Sequence, residues 1–122
     1  MTTESQHAEI AFFSSIMNDA SLLDDISEVI TTPMFSSIPH KSLYEEIIAI
    51  RDTGLVPEYS FLISELISNG KLEACGGEDY LGWIKKQNSN GENFQAYVRQ
   101  IIDAHKTREV LRLSANIPIL VC

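Results

Sequence analysis

Positive charge is scarce in this chain. Nine Lys and Arg stand against seventeen Asp and Glu, a formal net charge of -8 over 122 residues. Contacts from Lys and Arg to phosphates supply most non-specific affinity for nucleic acid. Direct binding of DNA or RNA by this segment is therefore disfavoured, and a protein partner, including one with a basic surface, is the better match. Cysteine is also nearly missing. Cys75 and Cys122 are the two, too few for a disulfide framework, and Cys75 reads as a small buried thiol. No apolar run approaches the roughly 20 residues that cross a bilayer. The opening MTTESQHAE lacks the basic start and apolar stretch of a secretory signal. A cytoplasmic protein without membrane contact is expected.

Chemical motifs are missing as well. There is no G-x-x-x-x-G-K-S/T to cradle nucleotide phosphates. Gly76-Gly77 has no lysine after it and is followed by Glu78 and Asp79, which repel an anion but suit the first turn of a helix. His7, His40 and His105 have no ligand-like spacing among themselves or with the cysteines, so no metal site is expected. His40 follows Pro39 at a predicted helix start, and packing or capping is its reading ahead of catalysis. A Cys75–His40 thiol dyad is the enzymatic alternative. Asp24-Asp25 and Glu45-Glu46 are helix neighbours pointing in different directions, hence solvated faces. No catalytic residue is assigned.

What the chain does have is helical periodicity. Ile10, Phe12, Phe13, Ile16 and Met17 form one stripe. Leu22, Leu23, Ile26, Val29 and Ile30 form a second, with Asp19 or Ser21 as its N-cap, broken by Thr31-Thr32-Pro33. Leu43, Tyr44, Ile47, Ile48 and Ile50 form a third, opened by Ser37 or Ile38 before Pro39 and closed at Gly54. Tyr59, Leu62, Ile63, Leu66 and Ile67 make a fourth, stopped by Asn69-Gly70. A fifth helix, from Glu78 to about Gln87, turns Tyr80, Leu81 and Ile84 inward and Trp83 toward an edge. The longest run starts at Phe94, passes Tyr97, Val98, Ile101 and Ile102, thins beyond His105, and resumes at Leu111, Leu113 and Ala115 until Pro118. Phe12, Phe13, Phe35, Tyr44, Tyr80 and Tyr97 all fall on these stripes, as core rather than base-stacking residues. No segment pairs β-branched enrichment with strict alternation. The expected fold is all-α: a compact orthogonal bundle of about six helices, the last extending toward a truncated helical hairpin.

Five of these segments follow known patterns, in order. HAEIAFFSSIM tracks E-A-E-x-A-(V/L)-L-G-x-(I/L)-L through Ala8, Glu9, Ala11, Phe13 and Ile16. Phe35, His40, Leu43 and Tyr44 follow F-x-x-x-x-H-x-x-(I/L)-Y. Gly54 and Leu66 match a glycine and a leucine-ended helix. Leu72, Gly76, Gly77, Tyr80 and Leu81 follow L-x-x-x-G-G-x-x-Y-L. Asn93, Tyr97, Ile101 and Arg108 match N-x-x-x-Y-x-x-x-V and a following arginine. Together, from about Ala8 to Arg108, they resemble the N-terminal domain of DnaB-type replicative DNA helicases. Departures are Ser14 in place of a small glycine, which should widen the nearest helix approach, and Glu58 in place of a capping aspartate, with Val56 and Pro57 interchanged.

The resemblance implies a helicase collar: a globular head over residues 1–105, the start of a hairpin or linker over 106–122, and a motor ATPase outside this chain. ATP and Mg are expected only for that motor, and no cofactor here. Such domains support hexamer assembly, pairing through the hairpin into a trimer of dimers, and dock primase or a helicase loader. Arg108, Leu111, Leu113 and Ile117 are the expected pairing residues. Trp83 is either an interface anchor or a cover for the core. The rival of another class is a stand-alone helical adaptor or inhibitor that binds a helicase or primase. The double glycine is expected to be architectural, turning the chain sharply between two helices.

Overall fold

The computed structural model describes residues 4–87 and 91–116, and among them it contains helices and turns but no strand. The described residues form five α-helices: α1 (Glu4–Asn18), α2 (Ile38–Asp52), α3 (Tyr59–Ser68), α4 (Glu78–Lys86) and α5 (Phe94–Asn116). Short 3-10 turns join them at Ala20–Asp25, Thr32–Met34, Glu73–Cys75 and Gly91–Asn93. The expected all-α bundle is the fold observed.

Helix α1 is the hub, packed against both α4 and α5. Every residue from Phe12 to Met17 is buried, including Ser14 and Ser15. A helix apolar or small on all sides belongs inside a domain rather than on its surface. The stripe seen in the sequence therefore understates its burial. The Phe12 ring lies between 5.2 and 6.1 Å from the rings of Phe13, Phe35, Tyr44 and Phe94, so four different segments meet on one side chain. Such aromatic pairs add about 0.5–1.5 kcal/mol each beyond the area they bury.

The second predicted helix is not an α-helix. Ala20–Asp25 is a 3-10 turn, and turns carry the chain on to Ile30. Asp19 caps it as expected, accepting the Ser21 backbone N–H. The apolar residues at Leu23, Ile26 and Ile30 are buried, but Val29 is 47% exposed. Two effects account for the difference. A segment this short is marginal as a free α-helix, and Thr31, extended at φ -121° and ψ 159°, separates it from the 3-10 turn that Pro33 enters at its start. The buried Tyr44 hydroxyl donates to the Ile30 carbonyl at 2.7 Å, which satisfies a backbone group that helix continuation would have used.

The remaining boundaries agree with the sequence pattern. Ser37 is the N-cap of α2, accepting from the His40 N–H, while Ile38 is 74% exposed. Glu58 precedes α3 without a side-chain cap bond. Gly76 and Gly77 have φ of +107° and +89°, and they join the Glu73–Cys75 turn to α4.

Candidate functional site

His40 is the centre of a buried polar chain. The Pro39 start of α2 places it in the first turn, 2% exposed, and α1 brings Glu9 to it, 0% exposed. Its Nδ1 lies 2.6 Å from Glu9 Oε1, and its Nε2 lies 2.7 Å from the Tyr80 hydroxyl. The second Glu9 oxygen accepts the Ser36 backbone N–H at 3.0 Å. With Nδ1–H donating to Glu9 and the Tyr80 O–H donating to Nε2, every link has a donor and an acceptor. Burial, reinforced by the Glu9 charge, holds the Tyr80 hydroxyl above its ordinary pKa, so it remains a donor. A buried carboxylate is costly unless its oxygens are hydrogen-bonded, and here the bonds come from the start of α2 and the residue just before its cap. The chain joins α1, α2 and α4.

Gly76 makes room for this arrangement. A Cβ there would overlap the edge of the Tyr80 ring. The Tyr80 ring stacks on His40 at 6.0 Å and on Trp83 at 6.0 Å, with interplanar angles of 15° and 20°. The buried chain thus continues to the surface as a ladder of rings, ending at Trp83, which is 48% exposed. One face of the indole covers Tyr80, and the ring remains half open to a partner.

The thiol reading is overturned. Both His40 ring nitrogens are engaged by Glu9 and Tyr80, which leaves neither for Cys75. Burial pushes the Cys75 thiol up to about 11, with Glu46 and Glu45 adding to the shift and Lys71 opposing it. A nucleophilic cysteine needs the opposite environment. Among the described residues no group of three or more His, Cys, Asp or Glu gathers around a common point.

The residues expected to pair chains are distributed over two elements. Arg108 is half-buried and directs Nη2 to the Met34 carbonyl at 2.6 Å, so it ties α5 to the Thr32–Met34 turn of its own chain. Leu111 is 63% exposed, as is its neighbour Val110 at 61%. The Leu113 side chain and Ile117 lie outside the described residues. Trp83 is on α4. Sequence reasoning found Glu9, His40 and Tyr80 as separate pattern residues and missed that they bond to one another. The available signal was their polarity at positions within apolar stripes.

These features define a class: an all-helical bundle whose polar interior locks its helices and whose apolar side chains open at Trp83 and near the end of α5. The structure is similar to the crystal structure of the N-terminal domain of DnaB helicase from Mycobacterium tuberculosis, with a TM-score of 0.82 at 18% identity, covering 93% of this chain and 81% of that one. A family model described as DnaB-like helicase N terminal domain matches residues 1–103, and the chain belongs to that family. Among curated relatives, the replicative DNA helicase DnaB of Treponema pallidum (strain Nichols) is 25% identical over 107 residues, 88% of this chain and 24% of the relative. The protein of that name from Buchnera aphidicola subsp. Acyrthosiphon pisum (strain APS) is 30% identical over 82 residues, 67% of this chain and 18% of the relative. The chain therefore spans less than a quarter of the length of these relatives. No helix among the described residues is long and apolar enough to cross a membrane.

Proposed function

We propose that this chain acts as the collar domain of a replicative DNA helicase, helping a hexamer assemble and offering a docking surface to primase or a helicase loader. Family membership supports the setting, and the relatives it matches are named as replicative DNA helicases. One observation carries the assembly part. Helix α5 runs 23 residues from Phe94 to Asn116, about 34 Å at 1.5 Å per residue. Its later turns leave Val110 and Leu111 open to solvent. Two adjacent apolar residues left open at the end of a long helix support a face that another chain covers. In this reading residues 1–105 are the head, 106–122 begin the pairing segment, and the motor, with ATP and Mg, belongs to the part of the relatives that the match does not reach.

Sedimentation equilibrium over a concentration series tests this. The wild-type chain self-associates, and Leu111→Asp lowers its mass while leaving helical circular dichroism intact. A Leu111→Asp chain of unchanged mass, or a wild-type chain that is monomeric throughout, refutes pairing through α5. The purified chain should also turn over no ATP and hold DNA negligibly at moderate salt.

A further inference from the structure

The outer crest of α2 carries a surface that none of the roles above uses. Glu45, Ala49 and Asp52 fall at i, i+4 and i+7, so they share one face, and all three are exposed. An apolar groove runs along each side of this crest, and Ala49 borders both. On one side Ile30, Tyr44 and Ile48 line the floor, with Glu45 and Asp52 at the rim. On the other Ile50, Leu55 and Phe61 line it, with Glu46 and Glu65 at the rim. Leu55 is 52% exposed. The grooves hold about 380 and 240 Å³ and are open clefts rather than the enclosing cavities that bury most of a small-molecule ligand.

The charged residues that line these grooves are all acidic, with Lys41 one turn before Glu45 at the end of the crest. No Lys or Arg borders either of them among the described residues. Arg51, on the same helix, is turned to Asp24 at 3.2 Å. Glu45 and Glu46 act together on the Cys75 thiol, against a partial offset from Lys71. A small residue on the ridge lets another backbone come close, two grooves accept side chains on either side of it, and four carboxylates surround them. That combination fits a helix laid across α2, with apolar anchors at helical spacing and cations on its flanks.

We propose that the crest of α2, centred on Ala49 and its two flanking grooves, docks a basic amphipathic helix of a partner protein. The proposal rests on the docking half of the collar reading and names the partner's chemistry, and it is separate from self-association through α5.

The probe is a pair of synthetic peptides of one composition, about 14 residues long, enough to form helix on a surface though marginal alone. In one, leucines recur at i, i+3, i+4 and i+7 among lysines and arginines. In the other the same residues are scrambled, so that it retains charge without an apolar face. Both are titrated into the isotope-labelled full chain and followed by amide chemical shifts. The amphipathic peptide should bind at least about tenfold tighter than the scrambled one, a difference larger than charge alone supplies. Its shifts should centre on α2, Leu55 and Phe61. Ala49→Arg, and separately the pair Glu45→Lys and Asp52→Lys, should each abolish that preference with helical content unchanged, since all three positions are exposed. Equal affinity of the two peptides overturns the proposal. So does a preference that survives both variants, or one that maps to Trp83 or the end of α5. If the peptides fail while Leu111→Asp changes the mass, the collar reading stands without this groove; the reverse pattern retains the groove and removes pairing.

Discussion

His40 meets Glu9 across 2.6 Å at a depth where neither is more than 2% exposed. Their union ties the first turn of α2 to the buried side of α1, and Tyr80 extends it to α4. Polar side chains are here part of the interior framework.

Removing one member of this chain leaves the others unpaired, which costs more than the bond itself. Glu9→Gln, His40→Phe and Tyr80→Phe should each lower unfolding free energy, the first two by about 2–4 kcal/mol and the last by about 1–2 kcal/mol. Urea denaturation of the singles and of the Glu9→Gln/Tyr80→Phe double gives the coupling. The double should cost less than the sum of its singles, because both act through His40. Strict additivity would mean the chain is not a unit.

The two glycines should fail for different reasons. Gly77, at φ +89° and ψ 162°, occupies a backbone region closed to other residues, whereas Gly76 faces the Tyr80 ring as well. Gly76→Ala should therefore cost less in a Tyr80→Ala background, and Gly77→Ala should cost the same in either. Thermal midpoints of these four variants, each against its own parent, wild type or Tyr80→Ala, decide it. A background effect at Gly77 alone would contradict the geometry.

Alkaline pH should loosen the fold. Burial raises the folded-state pKa of Cys75 from 9.0 to about 11 and of Tyr44 from 10.0 to about 12. A raised folded-state pKa favours the protonated form, so the stability it brings is complete below the unfolded value and is lost as pH rises through the folded one. Stability should fall between about pH 9 and 12, and less steeply in Cys75→Ala. In a Cys122→Ser background, native Cys75 should react with a disulfide reagent orders of magnitude more slowly than in urea. Rapid native labelling would show the thiol to be open.

Arg108 should act on order more than on global stability. Its bond to the Met34 carbonyl is half-buried, and one such contact contributes about 1–2 kcal/mol. Arg108→Ala should speed amide hydrogen exchange beyond His105 while leaving the head's slowest amides nearly unchanged. Uniform acceleration across the chain would instead make Arg108 part of the core framework.

Much of this architecture was legible because it is written in near neighbours. The stripe of α2, its Ser37 cap and Pro39 start, the stop at Gly54, and the reversal at Gly76-Gly77 all depend on residues within a few positions of one another. From Leu22 to Ile30 the same local signal predicts an α-helix, where the structure has a 3-10 turn and further turns. Leu23 and Ile26 suit a helical stripe and a 3-10 turn equally, and turns carry the chain on to Ile30. The Tyr44 hydroxyl, fourteen positions away from Ile30, helps hold the turn. The bond from Arg108 to the Met34 carbonyl, 74 positions away, is visible only in the fold.

By itself the amino-acid order determined the helical class, most helix ends, the acidic character and the family pattern, since periodicity, capping and net charge are sums over adjacent residues. Tertiary structure alone decided that Glu9, His40 and Tyr80 are hydrogen-bonded across 31 and 40 positions, that the Phe12–Met17 stretch of α1 is enclosed, and that Ala49 sits between two grooves. Those outcomes depend on which surfaces exclude water together, and a chain acquires such surfaces only when distant segments pack.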